Sequence, residues 1–121
     1  MPDAANLCAF CEIAADRAPA TIVANWGSAL AFVPLGSPFP GHVLIVPRKH
    51  FGRPDDDPAE FGALCEKVAS FAGTGGYDYN LALNAGPDAG QTVFHVHVHL
   101  LPRKRHDSIR MPWDECPCVG R

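Results

Sequence analysis

The chain has 121 residues, 47% of them hydrophobic, and a formal net charge of -3, enough apolar content for one small domain with a real core. Extended DNA or RNA would need a broad positive face, which this composition does not supply. The opening residues lack a basic start followed by an apolar run, and the most apolar window, Ala29 to Val46, is interrupted by Pro34, Gly36, Pro38, Pro40 and Gly41, so a cytoplasmic protein with no membrane partner is expected.

The first feature along the chain is Cys8-Ala-Phe-Cys11, followed by Glu12 to Ala18, which predicts a short helix ending before Pro19. With an odd count of five cysteines and no export signal, the pair reads as a metal or redox pair and not as a structural disulfide. Two apolar runs, Ala29 to Val33 and Val43 to Val46, read as strands joined by a link too rich in proline to pair inside a sheet. The strongest helix runs from Pro58 to about Ala72. Phe61, Leu64, Cys65, Val68, Phe71 and Ala72 recur there at spacings of three and four, so they share a buried face. Asp56 or Asp57 caps its start, and Gly73, Gly75 and Gly76 end it. Tyr77 to Asn84 predicts a strand, Ala85 to Gly90 a turn, and Thr92 to Leu101 the clearest strand of all. An irregular tail is expected from about residue 102. The whole reads as a single α+β domain over residues 1–121, with a mainly antiparallel sheet.

Strand side chains alternate, so His95, His97 and His99 should share one face while Phe94, Val96, Val98 and Leu100 anchor the other. Half of the six histidines fall in these five positions, which marks a functional site. Imidazole serves both as a metal ligand and as a nucleophile and proton carrier. Cys8, Cys11, His50 and one histidine of the row would make a closed tetrahedral zinc site, structural in kind. A second pair, Cys116 and Cys118, offers thiolates as an alternative. Two short basic clusters, Arg48-Lys49 and Arg103-Lys104-Arg105, suit a small anionic ligand.

The stretch Gly90-Gln-Thr-Val-Phe-His95-Val-His97-Val-His99-Leu-Leu-Pro102 resembles the defining segment of the histidine-triad (HIT) superfamily. Gly41-His42-Val-Leu-Ile-Val-Pro-Arg-Lys-His50 and Leu83-Asn84-Ala-Gly86 extend the likeness, and Cys8-x-x-Cys11 fits the zinc-bearing branch of nucleotide hydrolases. The resemblance implies a five-stranded antiparallel sheet with one main helix and a short N-terminal helix, and a homodimer. It implies attack by His97 on the α-phosphorus of a nucleotide, with His99 also catalytic. His42, Asn84, Gln91, Thr92 and His99 would hold the substrate, and Cys8, Cys11, His50 and His95 a structural Zn2+. The expected activity is a nucleotidyl hydrolase releasing a nucleoside monophosphate. A transferase using phosphate or a sugar phosphate as acceptor and a non-catalytic, zinc-stapled nucleotide-binding module are the alternatives. One departure stands out: Phe32-Val33-Pro34-Leu35 carries no acid where the family often grips the ribose hydroxyls. Ile22, Phe32, Val33 and Leu35 could still sandwich a flat group.

Overall fold

A computed structural model of the protein describes residues 8–114, so Cys116 and Cys118 lie outside the described residues. The strands are β1 (Thr21–Asn25), β2 (Ala29–Val33), β3 (Val43–Pro47), β4 (Asp78–Ala82) and β5 (Val98–Arg103), with helices α1 (Ala9–Ala14) and α2 (Pro58–Ala72). All strand pairs are antiparallel, in the spatial order β1-β2-β3-β5-β4. The expected α+β class, one main helix and a short N-terminal helix are what the chain adopts.

The runs in β2 and β3 do not alternate because both faces of these strands are covered. Ala29, Ala31, Val43 and Ile45 pack with Leu64, Val68 and Ala72 of α2, whereas Leu30, Phe32, Leu44 and Val46 pack with Cys8 and Phe10 on the opposite face. Truncating Leu64, which is 2% exposed, would cost about 2–5 kcal/mol by the usual cavity cost. Asp57 caps α2 by accepting the Glu60 N–H at 3.3 Å, with Pro58 at the first helical position. Cys65, expected in the core, is only half-buried and faces a groove shared with Leu81 and Leu83.

Three boundaries differ from expectation. Helix α1 starts at Ala9 and stops at Ala14, where Glu12 to Ala18 was expected. Cys8 caps it through its sulfur, which accepts the Cys11 N–H at 3.5 Å, and Asp16 turns left-handed at φ 61° just beyond its end. Strand β1 was not expected: its apolar run, Ile22-Val23-Ala24, is only three residues long, and it forms a largely exposed edge strand with a bulge between Ile22 and Ala24. The ladder of β5 opens at Val98, six residues later than expected. Antiparallel continuation from the Ile45–Val98 pair leads toward Pro47, which has no N–H to offer a partner. The preceding segment turns to other acceptors, with Val96 N–H donating to the Phe51 carbonyl at 2.8 Å. The two-residue alternation survives without the ladder. Val96, Val98 and Leu100 enter the α2-side core, while Phe94, expected among them, is 52% exposed.

Gly41 sets the entry to β3. Its φ is +78°, and a Cβ there would lie 3.0 Å from Pro102 Cγ, so no side chain fits. This close crossing brings His42 beside β5. Beyond the sheet, Arg103 grips Asp107 at 2.7 and 2.9 Å and also reaches Asn80 on β4. No helix among the described residues is long and apolar enough to cross a membrane.

Candidate active site

His99 pairs with Leu44 across β3 and β5, so it sits on the α1 side of the sheet, opposite α2. His95 and His97 are on that side too, because the ring of Phe10 meets both edge-on, with centroids 5.9 and 5.0 Å away. The His97 and His99 rings are 5.0 Å apart, closer than the roughly 6–7 Å of a regular strand repeat.

The residue spacing left the partners of Cys8 and Cys11 open; the fold brings them to His50 and His95. The ligand atoms of these four side chains all lie within 4.8 Å of one another. His95 Nε2–H donates to the Pro47 carbonyl at 2.6 Å, which leaves Nδ1 bare. That nitrogen lies 3.4 Å from Cys8 Sγ, 3.5 Å from Cys11 Sγ and 3.2 Å from His50 Nδ1, and Cys11 Sγ lies 3.3 Å from His50 Nδ1. A tetrahedral zinc ion with ordinary bond lengths would set nitrogens about 3.3 Å apart and nitrogen from sulfur about 3.6 Å. Two nitrogens meeting through the same ring position cannot both donate, so the cluster is electron-rich and wants a cation. The donor set fits a closed structural zinc site. Burial pushes the His95 imidazole down to about 4, which keeps the ring neutral as a ligand must be.

His97 is 7% exposed, and its Nδ1–H donates to its neighbour's carbonyl, that of His95, at 2.8 Å. A carbonyl only accepts, so the neutral ring must carry its lone pair on Nε2. His99 is lowered to about 4 by burial first, and then by charge on His97 and His42. Burial also lowers His42, with His97 adding to the effect. Ser37 Oγ accepts the Phe39 N–H at 3.3 Å and lies 2.7 Å from His42 Nδ1. With the hydroxyl proton directed at Nδ1, His42 Nε2–H donates to His99 Nδ1 at 2.9 Å, leaving His99 Nε2–H for the cleft. No local signal marks Ser37: a serine in a proline-rich link is what any turn would carry.

A cleft of about 350 Å³ opens beside the triad, within the size range of small-molecule sites. His97, His99 and Thr92 line it together with Phe32, Val33 and Leu35. Ile22, paired with Phe32 across the first two strands, is exposed and stands outside this lining. Phe10 and Ile13 of α1 complete the wall. Phe10 went unrecognised because a residue inside a CxxC spacer shows no period of its own, and Ile13 because a six-residue helix is too short to show one.

His42 stands behind His99. Asn84 stands outside the cleft lining, its Nδ2–H donating to the Gly90 carbonyl at 3.4 Å. Gln91 is 4% exposed and committed to backbone: Nε2 donates to Gly52 and Val93 carbonyls at 2.6 and 3.1 Å, and Oε1 accepts the Gly86 N–H at 2.8 Å. It braces the loop from Gly86 to Val93 against the segment after β3.

An antiparallel five-stranded sheet carrying HxHxH beside a small cleft defines a histidine-triad fold, and comparison with known proteins agrees. The HIT domain family matches residues 15–106, and the chain belongs to that family. An uncharacterized HIT-like protein of Methanocaldococcus jannaschii is 38% identical over 106 residues, covering 84% of this chain and 82% of its own. The adenylylsulfatase HINT3 of Arabidopsis thaliana is 33% identical over 86% of this chain and 56% of its own length. The adenosine 5'-monophosphoramidase hnt1 of Schizosaccharomyces pombe is 30% identical over 91% of this chain and 85% of its own. Among solved structures, SMU.412c from Streptococcus mutans superposes with a TM-score of 0.80 at 31% identity, covering 88% of this chain and 71% of the other. A zinc-bound histidine triad family protein from Mycobacterium smegmatis gives 0.77 at 30% identity, over 88% and 82%.

Proposed function

We propose that this chain is a nucleotidyl hydrolase that cleaves at the α-phosphorus of nucleoside phosphoramidates or phosphoanhydrides through a covalent nucleotidyl-His97 intermediate. The observation that carries the reading is the bond from His97 Nδ1–H to the His95 carbonyl, which keeps the Nε2 lone pair on a cleft-lining ring. The relatives named for adenylylsulfate and adenosine phosphoramidate chemistry support the substrate class.

In the first step His97 Nε2 attacks phosphorus, and the bond to the amine or phosphate leaving group breaks with its electron pair. A proton from the histidine pair accompanies the departing group. In the second step water attacks the same phosphorus and gives a proton back to the histidine pair, the bond to His97 breaks with its electron pair returning to Nε2, and a nucleoside monophosphate leaves. Two displacements retain configuration. His99 and Thr92 hold phosphoryl oxygens as charge shifts, His42 acts through the proton it shares with His99 Nδ1, Asn84 supports the turn at Gly90, and Gln91 acts through the loop it braces.

Structural Zn2+ at Cys8, Cys11, His50 and His95 belongs to the same reading; when bound, it supplies a cross-link between α1 and the sheet and no chemistry on substrate. A single domain over residues 1–121, a cytoplasmic setting and a homodimer complete it. The homodimer is supported by β4, a sheet edge that exposes Tyr79 and Leu81.

The test is release of nucleoside monophosphate from adenylyl and guanylyl phosphoramidates and dinucleoside polyphosphates, with His97→Ala alongside. Wild type should exceed the variant by at least about a thousandfold on one of these compounds. Equal rates on all of them overturn the proposal. Product made only with added phosphate or sugar phosphate would make the chain a transferase instead.

A further inference from the structure

Resting on the hydrolase reading, we infer that the organic part of the substrate is held by apolar contact alone, so that 2'-deoxynucleotides are accepted as well as ribonucleotides. Among the described residues, the cleft-lining side chains able to hydrogen-bond are Thr92, His97 and His99, all three committed to the phosphoryl group in the mechanism above. The rest of the wall is hydrocarbon, from Phe10 and Ile13 on one side to Phe32, Val33 and Leu35 on another. No carboxylate or amide side chain lines it among the described residues. Pro34 is part of the same wall, and it has neither a polar side chain nor an N–H to donate.

Core packing does not account for the outer residues. Leu35 is 90% exposed and Val33 40%, so they stand at a mouth open to solvent. A flat ring can cover them while its sugar hydroxyls remain in water. The energetic consequence follows from what each kind of wall can lose. A site that hydrogen-bonds a hydroxyl rejects the analogue lacking it by about 10⁴–10⁵, because its buried partner is left unpaired. A hydrocarbon wall has no partner to strand, and selection at the 2'-position disappears.

The experiment compares AMP with 2'-deoxy-AMP by calorimetry, and adenosine with 2'-deoxyadenosine 5'-phosphoramidate by kcat/KM, on the full chain. Both ratios should fall within about fivefold, against the far larger values of a hydroxyl-reading site. Pro34→Asp, which places an acceptor at the mouth, should move both ratios toward the ribonucleotide. A wild-type preference above fivefold for the ribo compound overturns the inference and leaves the hydrolase reading intact. Matched binding of both monophosphates without turnover of either phosphoramidate does the reverse. Binding of neither monophosphate overturns both.

Discussion

His42 Nε2 lies 2.9 Å from His99 Nδ1, with the two rings stacked at 5.1 Å, so only one proton fits between them. Which ring owns it decides whether His99 offers a donor or a lone pair to the cleft. Ser37, 2.7 Å from the far side of His42, biases the choice: its hydroxyl proton given to His42 Nδ1 leaves His42 Nε2–H to donate to His99.

Ser37→Ala removes that bias without touching substrate. We expect kcat to fall about tenfold, in the range typical of groups that orient a functional imidazole, with KM changed less than about twofold. The acid limb of the kcat profile should shift, and Ser37→Thr should restore it. An unchanged profile in Ser37→Ala would show that His42 needs no orientation from this hydroxyl.

Acid should weaken the fold through His99. Its folded value of about 4 lies below the ordinary 6.5, so the unfolded chain takes up a proton first as pH drops. Stability is therefore whole above about pH 6.5 and drains away as pH falls toward 4. Thermal melts from pH 7.5 to 4.5 should show this, and His99→Gln should lose about 1–3 kcal/mol less over the same span. Parallel losses in the two proteins would remove His99 as a cause.

The four-residue cluster predicts about one zinc ion per chain by elemental analysis. Cys8→Ser and His50→Ala should each lose it, with melting lowered by roughly 10 °C or more. Metal retained by both variants would exclude the site.

Gln91 cannot be exchanged for its acidic counterpart. In Gln91→Glu an acceptor would face the carbonyls of Gly52 and Val93, where two N–H groups now donate. A destabilisation of about 2–4 kcal/mol is expected from the unpaired buried groups. Faster amide exchange at Gly86 and lower kcat/KM should accompany it, and wild-type exchange there would contradict the loop-bracing role.

What the sequence disclosed follows physical lines. Helix α2 was legible because one face meets a core and the other meets water, which writes a period into Leu64, Val68 and Ala72. The pattern around His97 was legible because the alternation of faces outlasts the ladder. Strand β1 was not, since an exposed edge strand imposes no hydrophobic order. Ser37 and Phe10 matter through contacts with residues distant along the chain, and nothing local in their surroundings reports that. The spacing from Cys11 to His50 likewise became meaningful only when β3 and the His95 segment were laid side by side.

Phe10 occupies the spacer between Cys8 and Cys11 while its ring abuts His97 and walls the cleft. Whatever fastens the two sulfurs therefore also sets the seat of the His97 imidazole and the shape of the cleft. On the proposed reading, oxidising these thiols or removing an ion they hold would cost recognition and chemistry together, before the sheet itself comes apart.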